Sequence, residues 1–114
     1  MPLLKIQTNH ALEPAAQQTL ITRASKVVAD MLGKPERYVM VSLEQNPAML
    51  FGGSGAPLAY LELKSIGLPR SRTADLSRQL TTLVRDATGV SEDRVYIEFA
   101  DAAHDLWGWN GGTF

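Results

Sequence analysis

Apolar and polar residues alternate along four short segments of the chain, as in strands that bury one face. The first segment, residues 4–8, reads Leu-Lys-Ile-Gln-Thr and predicts a strand almost at the N-terminus, with Pro2 at its beginning. The other three predicted strands cover residues 38–44, 58–65 and 94–100. Together they predict a four-stranded sheet.

Two longer segments between these strands place apolar residues three and four positions apart, which predicts amphipathic helices. The first begins at Pro14 and ends at Gly33, because glycine readily closes a helix and Pro35 cannot continue one. The second ends in the same way at Gly89. The apolar positions are Leu20, Ala24, Val27, Val28 and Met31 in the first helix, and Leu76, Leu80, Leu83, Val84 and Ala87 in the second.

The order of strand, helix and strand occurs twice, in residues of about 1–57 and 58–114. A unit of this length normally forms a right-handed crossover between parallel strands. We therefore predict an α/β fold in a single domain, residues 1–114, with both helices on one face of a four-stranded mixed sheet. The second and third strands carry apolar residues on both faces, so the open face is expected to meet other subunits. The aromatic, glycine-rich tail, residues 101–114, is expected to pack on a sheet edge or on a neighbour.

The composition narrows the chemistry that this chain can perform. Its 114 residues include eleven Lys and Arg against twelve Asp and Glu, so the net charge of -1 offers no basic surface for nucleic acid. The absence of cysteine excludes disulfides, thiolate metal sites and cysteine nucleophiles. No apolar run approaches the roughly 20 residues of a membrane span, and the N-terminus lacks a secretory signal pattern. We therefore expect a soluble, cytoplasmic chain that binds neither nucleic acid nor a membrane.

Several familiar motifs are incomplete in this sequence. The run Gly52-Gly53-Ser54-Gly55 lacks the order of a phosphate-binding loop and has no helix directly after it, so it predicts a turn. His10 and His104 stand alone, whereas a metal site needs three or four convergent ligands. No Gly-x-Ser-x-Gly element supports a hydrolase triad. The sequence therefore predicts no metal centre and no cofactor site.

Pro2 is the remaining candidate for chemistry. If Met1 is removed, Pro2 exposes a secondary amine at the start of a strand. A free α-amino group has a pKa near about 7.7–8, and apolar surroundings with a nearby lysine would lower this pKa toward neutrality, where a general base operates. Proline is also a common second residue, so its position alone does not establish this role.

Short motifs follow one another along essentially the whole chain. They are Pro2 at the start of the first strand, Gly33-Lys34-Pro35, Phe51-Gly52-Gly53-Ser54, Ser65-Ile66-Gly67, Asp93-Arg94-Val95-Tyr96-Ile97, and Gly108-Trp109-Asn110 with Thr113-Phe114. In this order, and together with the duplicated strand, helix and strand unit, they resemble the macrophage migration inhibitory factor (MIF) family. That family belongs to the tautomerase superfamily.

The resemblance implies a homotrimer of duplicated βαβ units with active sites at the subunit interfaces. It also implies keto-enol tautomerisation of phenylpyruvate-type 2-keto acids, in which Pro2, once Met1 is removed, is the catalytic base and then the acid. The reaction would need no cofactor and no metal. The expected partners are further copies of the chain and a small aromatic 2-keto acid.

The resemblance also implies the polar part of a substrate-binding site. Lys34 would hold the substrate carboxylate and keep the Pro2 amine neutral by like-charge repulsion. Lys34 also stands just beyond the C-terminus of the first predicted helix, where a cation favours the helix dipole whatever the function. Ser65 and Ile66 belong to the same expected site, with the backbone N–H of Ile66 binding a substrate oxygen.

Aromatic residues complete the expected site. By the resemblance, Tyr96, Trp109 and Phe114 would line a pocket for the substrate ring, with Tyr96 and Phe114 coming from a neighbouring subunit. For Trp107 we expect packing alone.

Three features depart from the family pattern. Glu98, counted among the substrate-binding residues, stands where many members carry Asn, and its carboxylate would repel an anionic substrate and raise the pKa of the Pro2 amine. Leu58 and Leu61 occupy the positions of a CxxC motif found in the animal cytokines, which excludes thiol chemistry of that kind. If Met1 is retained, the nitrogen of Pro2 is an amide without a basic lone pair.

Two other functions stay open at this point. The family includes animal cytokines released without a signal peptide, so the chain is alternatively a cytokine-like or cytokine-mimic protein that binds a receptor and keeps only vestigial tautomerase activity. A relative that acts on a different unsaturated or halogenated acid is the other alternative. Dehalogenating members of the superfamily typically need additional Arg and Glu groups around the proline, and Glu98 keeps this alternative open. Dopachrome-type esters are expected to be poorer substrates than phenylpyruvate.

Overall fold

The computed structural model describes all 114 residues. Two helices and six strands follow one another along the chain: β1 (Leu3–Thr8), α1 (Pro14–Leu32), β2 (Met40–Gln45), β3 (Ala59–Ile66), α2 (Thr73–Thr88), β4 (Val95–Ala102), β5 (Gly108–Trp109) and β6 (Gly112–Thr113). Four single turns of 3₁₀-helix lie between them, at Glu36–Tyr38, Arg70–Arg72, Glu92–Arg94 and His104–Leu106.

The main sheet has the strand order β2-β1-β3-β4. Strand β1 runs parallel to β2, and β3 runs parallel to β4, so each pair encloses one helix in a βαβ unit. The two units join through the antiparallel pairing of β1 with β3, which makes the sheet mixed. This arrangement confirms the predicted α/β fold with a duplicated βαβ unit.

One apolar cluster lies between the sheet and the helices. Alternate residues of the two central strands are buried in it, because successive side chains of a strand point to opposite faces. The fully buried members are Leu4 and Ile6 of β1, Leu61 and Leu63 of β3, Leu20, Ala24 and Val28 of α1, and Leu76, Leu80 and Val84 of α2, with Val90 after α2. Val27 and Ala87, which the helical spacing also assigned to the core, are only partly buried at its margin.

The helix ends agree with the sequence prediction. Gly33 follows α1 with φ +62°, and Gly89 follows α2 with φ +75°, the left-handed conformation that glycine adopts without a steric penalty. The backbone N–H of Lys34 donates to the carbonyl of Ala29 at 3.0 Å and so closes α1. The helix end therefore fixes where the backbone of Lys34 lies.

All four predicted strand starts differ from the observed ones by one or two residues, and a 3₁₀ turn explains two of these differences. The expected strand at 38–44 begins at Met40, because Tyr38 and Val39 donate to the carbonyls of Pro35 and Glu36 in a 3₁₀ turn. The expected strand at 94–100 begins at Val95 for the same reason, since Arg94 donates to the carbonyl of Ser91. Both turns stand at the same place in their βαβ units, before the second strand.

The open face of the sheet is polar along its middle. Lys5 of β1 stands between Ser42 of β2 and Glu62 of β3, and Glu62 stands beside Glu98 of β4. The expectation that the second and third strands are apolar on both faces is therefore wrong for the centre of this face. Apolar side chains lie on this face only toward the strand ends, where Met40 is 65% exposed.

The tail forms a small hairpin of β5 and β6. It packs on the 3₁₀ turn that leads into β2, an outer strand of the sheet, where the rings of Trp109 and Phe114 both contact Tyr38 at centroid distances of 5.7 Å. The predicted packing of the tail on an edge is confirmed. Neither helix combines the length and the hydropathy that crossing a membrane would need.

Candidate active site

A cavity of about 370 Å³ opens around the N-terminal end of β1. Three parts of the chain form its wall: residues 1–3, residues 37–40 and the tail. The parallel pairing of β1 with β2 brings the first two parts together, since Leu3 lies beside Met40. The tail hairpin closes the third side.

Pro2 lies fully buried in this wall. Its carbonyl accepts a hydrogen bond of 2.9 Å from the backbone N–H of Met40, which extends the β1 and β2 ladder to the chain end. With Met1 in place, the free amine belongs to Met1 and donates to the carbonyl of Tyr38 at 2.9 Å. Burial, and then the positive charge of Lys34, lower the pKa of this amine below its usual value. The surroundings of the chain end thus disfavour the charged form of an amine relative to water.

The structure brings Lys34, Ser65 and Ile66 together. The ammonium of Lys34 donates to the carbonyl oxygen of Ile66 at 3.0 Å, and the buried hydroxyl of Ser65 donates to the same oxygen at 3.0 Å. Ser65 follows Lys64, the residue of β3 that pairs with Leu3, so β3 carries this group alongside the chain end. Three of the predicted site residues therefore form one polar cluster, which adjoins the chain end but does not line the wall of the Pro2 cavity itself.

Aromatic rings form the outer wall of the cavity. The rings of Trp109 and Phe114 stack with centroids 5.2 Å apart, and the ring of Tyr38 stands nearly perpendicular to both. Phe114 lines the cavity that contains Pro2 of the same chain, so the expectation that it comes from a neighbouring subunit is wrong. Trp107 also lines this cavity, beyond the packing role expected of it.

Tyr38 and Arg37 are site residues that sequence reasoning missed. The 3₁₀ turn after Pro35 places both on the cavity wall. The guanidinium carbon of Arg37 lies 4.8 Å from the centre of the Tyr38 ring. Both residues follow shortly after Gly-Lys-Pro, and this position could have identified them as site residues. The alternation of residues 38–44 instead predicted that Tyr38 belongs to a strand.

Tyr96 and Glu98 lie elsewhere in the chain. Tyr96 is 66% exposed and packs on Phe51 at 4.6 Å, in a second, largely apolar cavity of about 410 Å³. Glu98 lies on the open face, where it accepts a hydrogen bond of 3.4 Å from the hydroxyl of Tyr60. Neither residue contributes to the wall around its own Pro2. Their predicted role therefore depends on a second copy of the chain.

The model of the family described as macrophage migration inhibitory factor (MIF) matches residues 1–114. The chain belongs to the MIF family. A MIF homolog of Brugia malayi is 38% identical over 116 residues, covering 100% of this chain and 99% of that protein. A homolog of Trichuris trichiura is 37% identical, with 100% of both chains covered.

Solved structures of MIF homologues have the same fold. The crystal structure of a MIF homologue from Prochlorococcus marinus superposes with a TM-score of 0.92 at 42% identity, and the superposition covers 98% of each chain. This agreement confirms that the chain has the tautomerase-superfamily fold, as the MIF resemblance of the sequence implied. The cavity at Pro2 is therefore the candidate active site of a MIF-family chain.

Proposed function

We propose that this MIF-family chain is a tautomerase that interconverts the keto and enol forms of phenylpyruvate-type 2-keto acids. The proposal rests on the surroundings of the chain end. Burial and the charge of Lys34 lower the pKa of the Met1 amine, and Met1 and Pro2 line an aromatic cavity. Removal of Met1 would transfer the free amine to Pro2. A secondary amine in surroundings that lower its pKa would then stand at the wall of the cavity, and in its neutral form it can take a proton.

The reaction needs one base and one group that stabilises an enolate. The neutral Pro2 amine takes a proton from C3 of the keto acid, and the electrons of that C–H bond shift to the carbonyl oxygen. The backbone N–H of Ile66 binds this oxygen, while the ammonium of Lys34 binds the substrate carboxylate. The protonated amine then returns its proton to the oxygen and gives the enol. Trp109 and Phe114 hold the aromatic ring.

A homotrimer would complete this site. Tyr96 and Leu50 are large apolar side chains that one chain leaves 66% and 72% exposed, and they border the second apolar cavity. We place this region against the Pro2 cavity of a neighbouring copy, so that Tyr96 and Glu98 of one subunit face Pro2 of the next. The exposure of these side chains supports an interface, because isolated domains rarely expose a contiguous apolar patch.

The experiment compares purified chains whose N-termini are first defined by intact mass. Loss of the enol absorbance of phenylpyruvate is followed with the chain lacking Met1, with the Pro2→Gly variant and with a preparation that retains Met1. We expect the chain lacking Met1 to act about 10² times faster than the other two, the contribution typical of general acid-base catalysis. Pro47→Gly, an exchange at an exposed loop position, is the matched control. Equal rates for the first two proteins would contradict the role of Pro2.

A receptor-binding role is the second candidate. Some relatives that match the whole chain are animal proteins named macrophage migration inhibitory factor. One of them, from Rattus norvegicus, is 31% identical. Binding to the ectodomain of the animal receptor, measured with the wild type and with Pro2→Gly, separates the two functions. Strong binding by both proteins, with no turnover by either, would favour the receptor role over the enzyme.

A further inference from the structure

Arg37 is a cation on the wall of the Pro2 cavity that the proposed reaction does not use. The 3₁₀ turn Glu36–Tyr38 carries it, and its guanidinium carbon lies 4.8 Å from the centre of the Tyr38 ring. Arginine stacks well on aromatic faces because its planar guanidinium is weakly hydrated. The ring therefore holds this cation beside the pocket.

No carboxylate of the chain neutralises Arg37. The ion pairs of the structure involve other arginines and one lysine, and the adjacent Glu36 accepts a hydrogen bond from Ser25 instead. The cavity wall contains no acidic residue. The donors of the guanidinium thus remain available to a group that enters the cavity.

The site consequently has two cations at separate places. Lys34 lies beside Ile66 at the end of β3, whereas Arg37 lies over Tyr38, whose ring contacts Trp109 and Phe114. A 2-keto acid bound as proposed places its carboxylate at Lys34 and its ring between the aromatic side chains. A simple phenylpyruvate has nothing to offer the second cation.

We propose that Arg37 determines substrate specificity by binding an anionic group on the far side of the substrate ring. This inference rests on the proposed function and names its substrate class: aromatic 2-keto acids with a second negative charge, such as a ring carboxylate. The planar guanidinium fork binds a carboxylate through two parallel hydrogen bonds, which selects such a group over a neutral ring.

The test pairs two substrates that differ only at the far end, phenylpyruvate and 4-carboxyphenylpyruvate, with the chain lacking Met1. In Arg37→Gln, we expect KM for the carboxylated substrate to rise about two- to fivefold, the range of an exposed charged contact. The ratio of kcat/KM for the carboxylated substrate to kcat/KM for phenylpyruvate should therefore fall about two- to fivefold, with the change in KM rather than in kcat. Arg37→Lys should retain part of the preference, and Arg70→Gln, an exposed change on another turn, should have no effect.

Equilibrium binding separates a failure of this inference from a failure of the enzyme assignment. Cinnamate and 4-carboxycinnamate cannot tautomerise, and their binding is followed by the fluorescence of Trp107 and Trp109 in the cavity wall. Preferential binding of 4-carboxycinnamate by the wild type, lost in Arg37→Gln, supports the inference even if turnover is absent. The same ratio of affinities in both proteins would overturn it.

Discussion

The ammonium of Lys34 and the hydroxyl of Ser65 share one acceptor, the carbonyl oxygen of Ile66, each at 3.0 Å. Lys34 follows α1, whereas Ser65 and Ile66 end β3, so this contact joins the two βαβ units next to the chain end. An ammonium group has three N–H donors, and this hydrogen bond uses one of them. Lys34 is thereby oriented and still has donors for a substrate carboxylate.

We expect Lys34→Gln to impair both binding and proton transfer. In the proposed reaction Lys34 binds the substrate carboxylate, and loss of this cation should raise KM about tenfold, which corresponds to about 1.4 kcal/mol. Loss of the positive charge also removes the repulsion that lowers the pKa of the chain-end amine, so this pKa should rise. The measurement is the pH profile of kcat/KM with phenylpyruvate, whose acidic limb should move to higher pH.

Lys26→Gln is the matched control for that profile, because Lys26 lies exposed on α1 away from the cavity wall. It should leave both the KM and the acidic limb as in the wild type. An acidic limb that stays in place in Lys34→Gln would show that Lys34 does not lower the pKa of the catalytic amine.

Replacement of Glu98 by Asn tests whether a neighbouring subunit completes the site. If Glu98 faces the Pro2 amine of the next copy, its removal should lower KM for phenylpyruvate about three- to fivefold, the scale of a partly screened charge. The acidic limb of kcat/KM should move to lower pH, because a carboxylate favours the protonated amine. Glu44→Gln removes a charge from the same open face but far along β2, and it should change neither quantity.

The repeated pattern of strands and helices was predictable because it rests on burial alone. One-sided burial imposes a period of two on β1 and β3 and a period near 3.6 on both helices. Gly33 and Gly89 marked the helix ends, since the left-handed conformation there strongly favours glycine. The start of β2 was not predictable in this way, because residues 38–44 alternate whether Tyr38 belongs to a strand or to a turn.

The candidate site was predictable only where its residues belong to motifs that can be recognised along the chain. Pro2, Lys34 and Ile66 belong to the motifs on which the MIF resemblance rests, and the fold brings Lys34 to Ile66 and close to the chain end. The position of Arg37 on the cavity wall was not predictable, because it depends on a 3₁₀ turn and because exposed arginines are common in any sequence. The proposed contribution of Tyr96 depends on the proposed assembly of several copies, whose geometry no pattern within one chain specifies.

Tyr60 offers a direct check of the electrostatics of the open face. Burial, the hydrogen bond to Glu62 and the charges of Glu62 and Glu98 raise the pKa of Tyr60 to about 12. A raised pKa means that this phenol stabilises the folded chain below about pH 10 and loses that contribution as the pH rises to about 12. Absorbance at the phenolate band should show a late titration step that is absent in Tyr60→Phe and shifted to lower pH in Glu98→Gln.

A step that stays at the same pH in Glu98→Gln would contradict the contact between Tyr60 and Glu98. Denaturant unfolding provides a second measurement on the same proteins. The difference in free energy of unfolding between the wild type and Tyr60→Phe should shrink as the pH is raised above about 10, because the wild-type contribution is lost there.

Arg94 holds the glycine-rich loop that lies beside Tyr96. Its guanidinium donates to four carbonyl oxygens of this loop, those of Phe51, Ser54, Ala56 and Pro57, at 3.0 to 3.3 Å. We expect Arg94→Ala to lower the free energy of unfolding by about 1–3 kcal/mol, the effect of losing charged hydrogen bonds. Urea unfolding measures this loss. Arg94→Lys should recover little of it, because an ammonium lacks the planar fork that reaches several carbonyls.

Arg78→Ala is the control, since Arg78 forms only exposed contacts on α2, and its loss should cost less than about 1 kcal/mol.

Arg94→Ala should also be cleaved faster by proteases within residues 46–57. Because Phe51 packs on Tyr96 at 4.6 Å, a loosened loop frees the Tyr96 ring as well. If Tyr96 completes a neighbour's cavity, KM for phenylpyruvate should therefore rise in Arg94→Ala. A destabilised variant with unchanged KM would show instead that the loop supports the fold without positioning Tyr96 for catalysis.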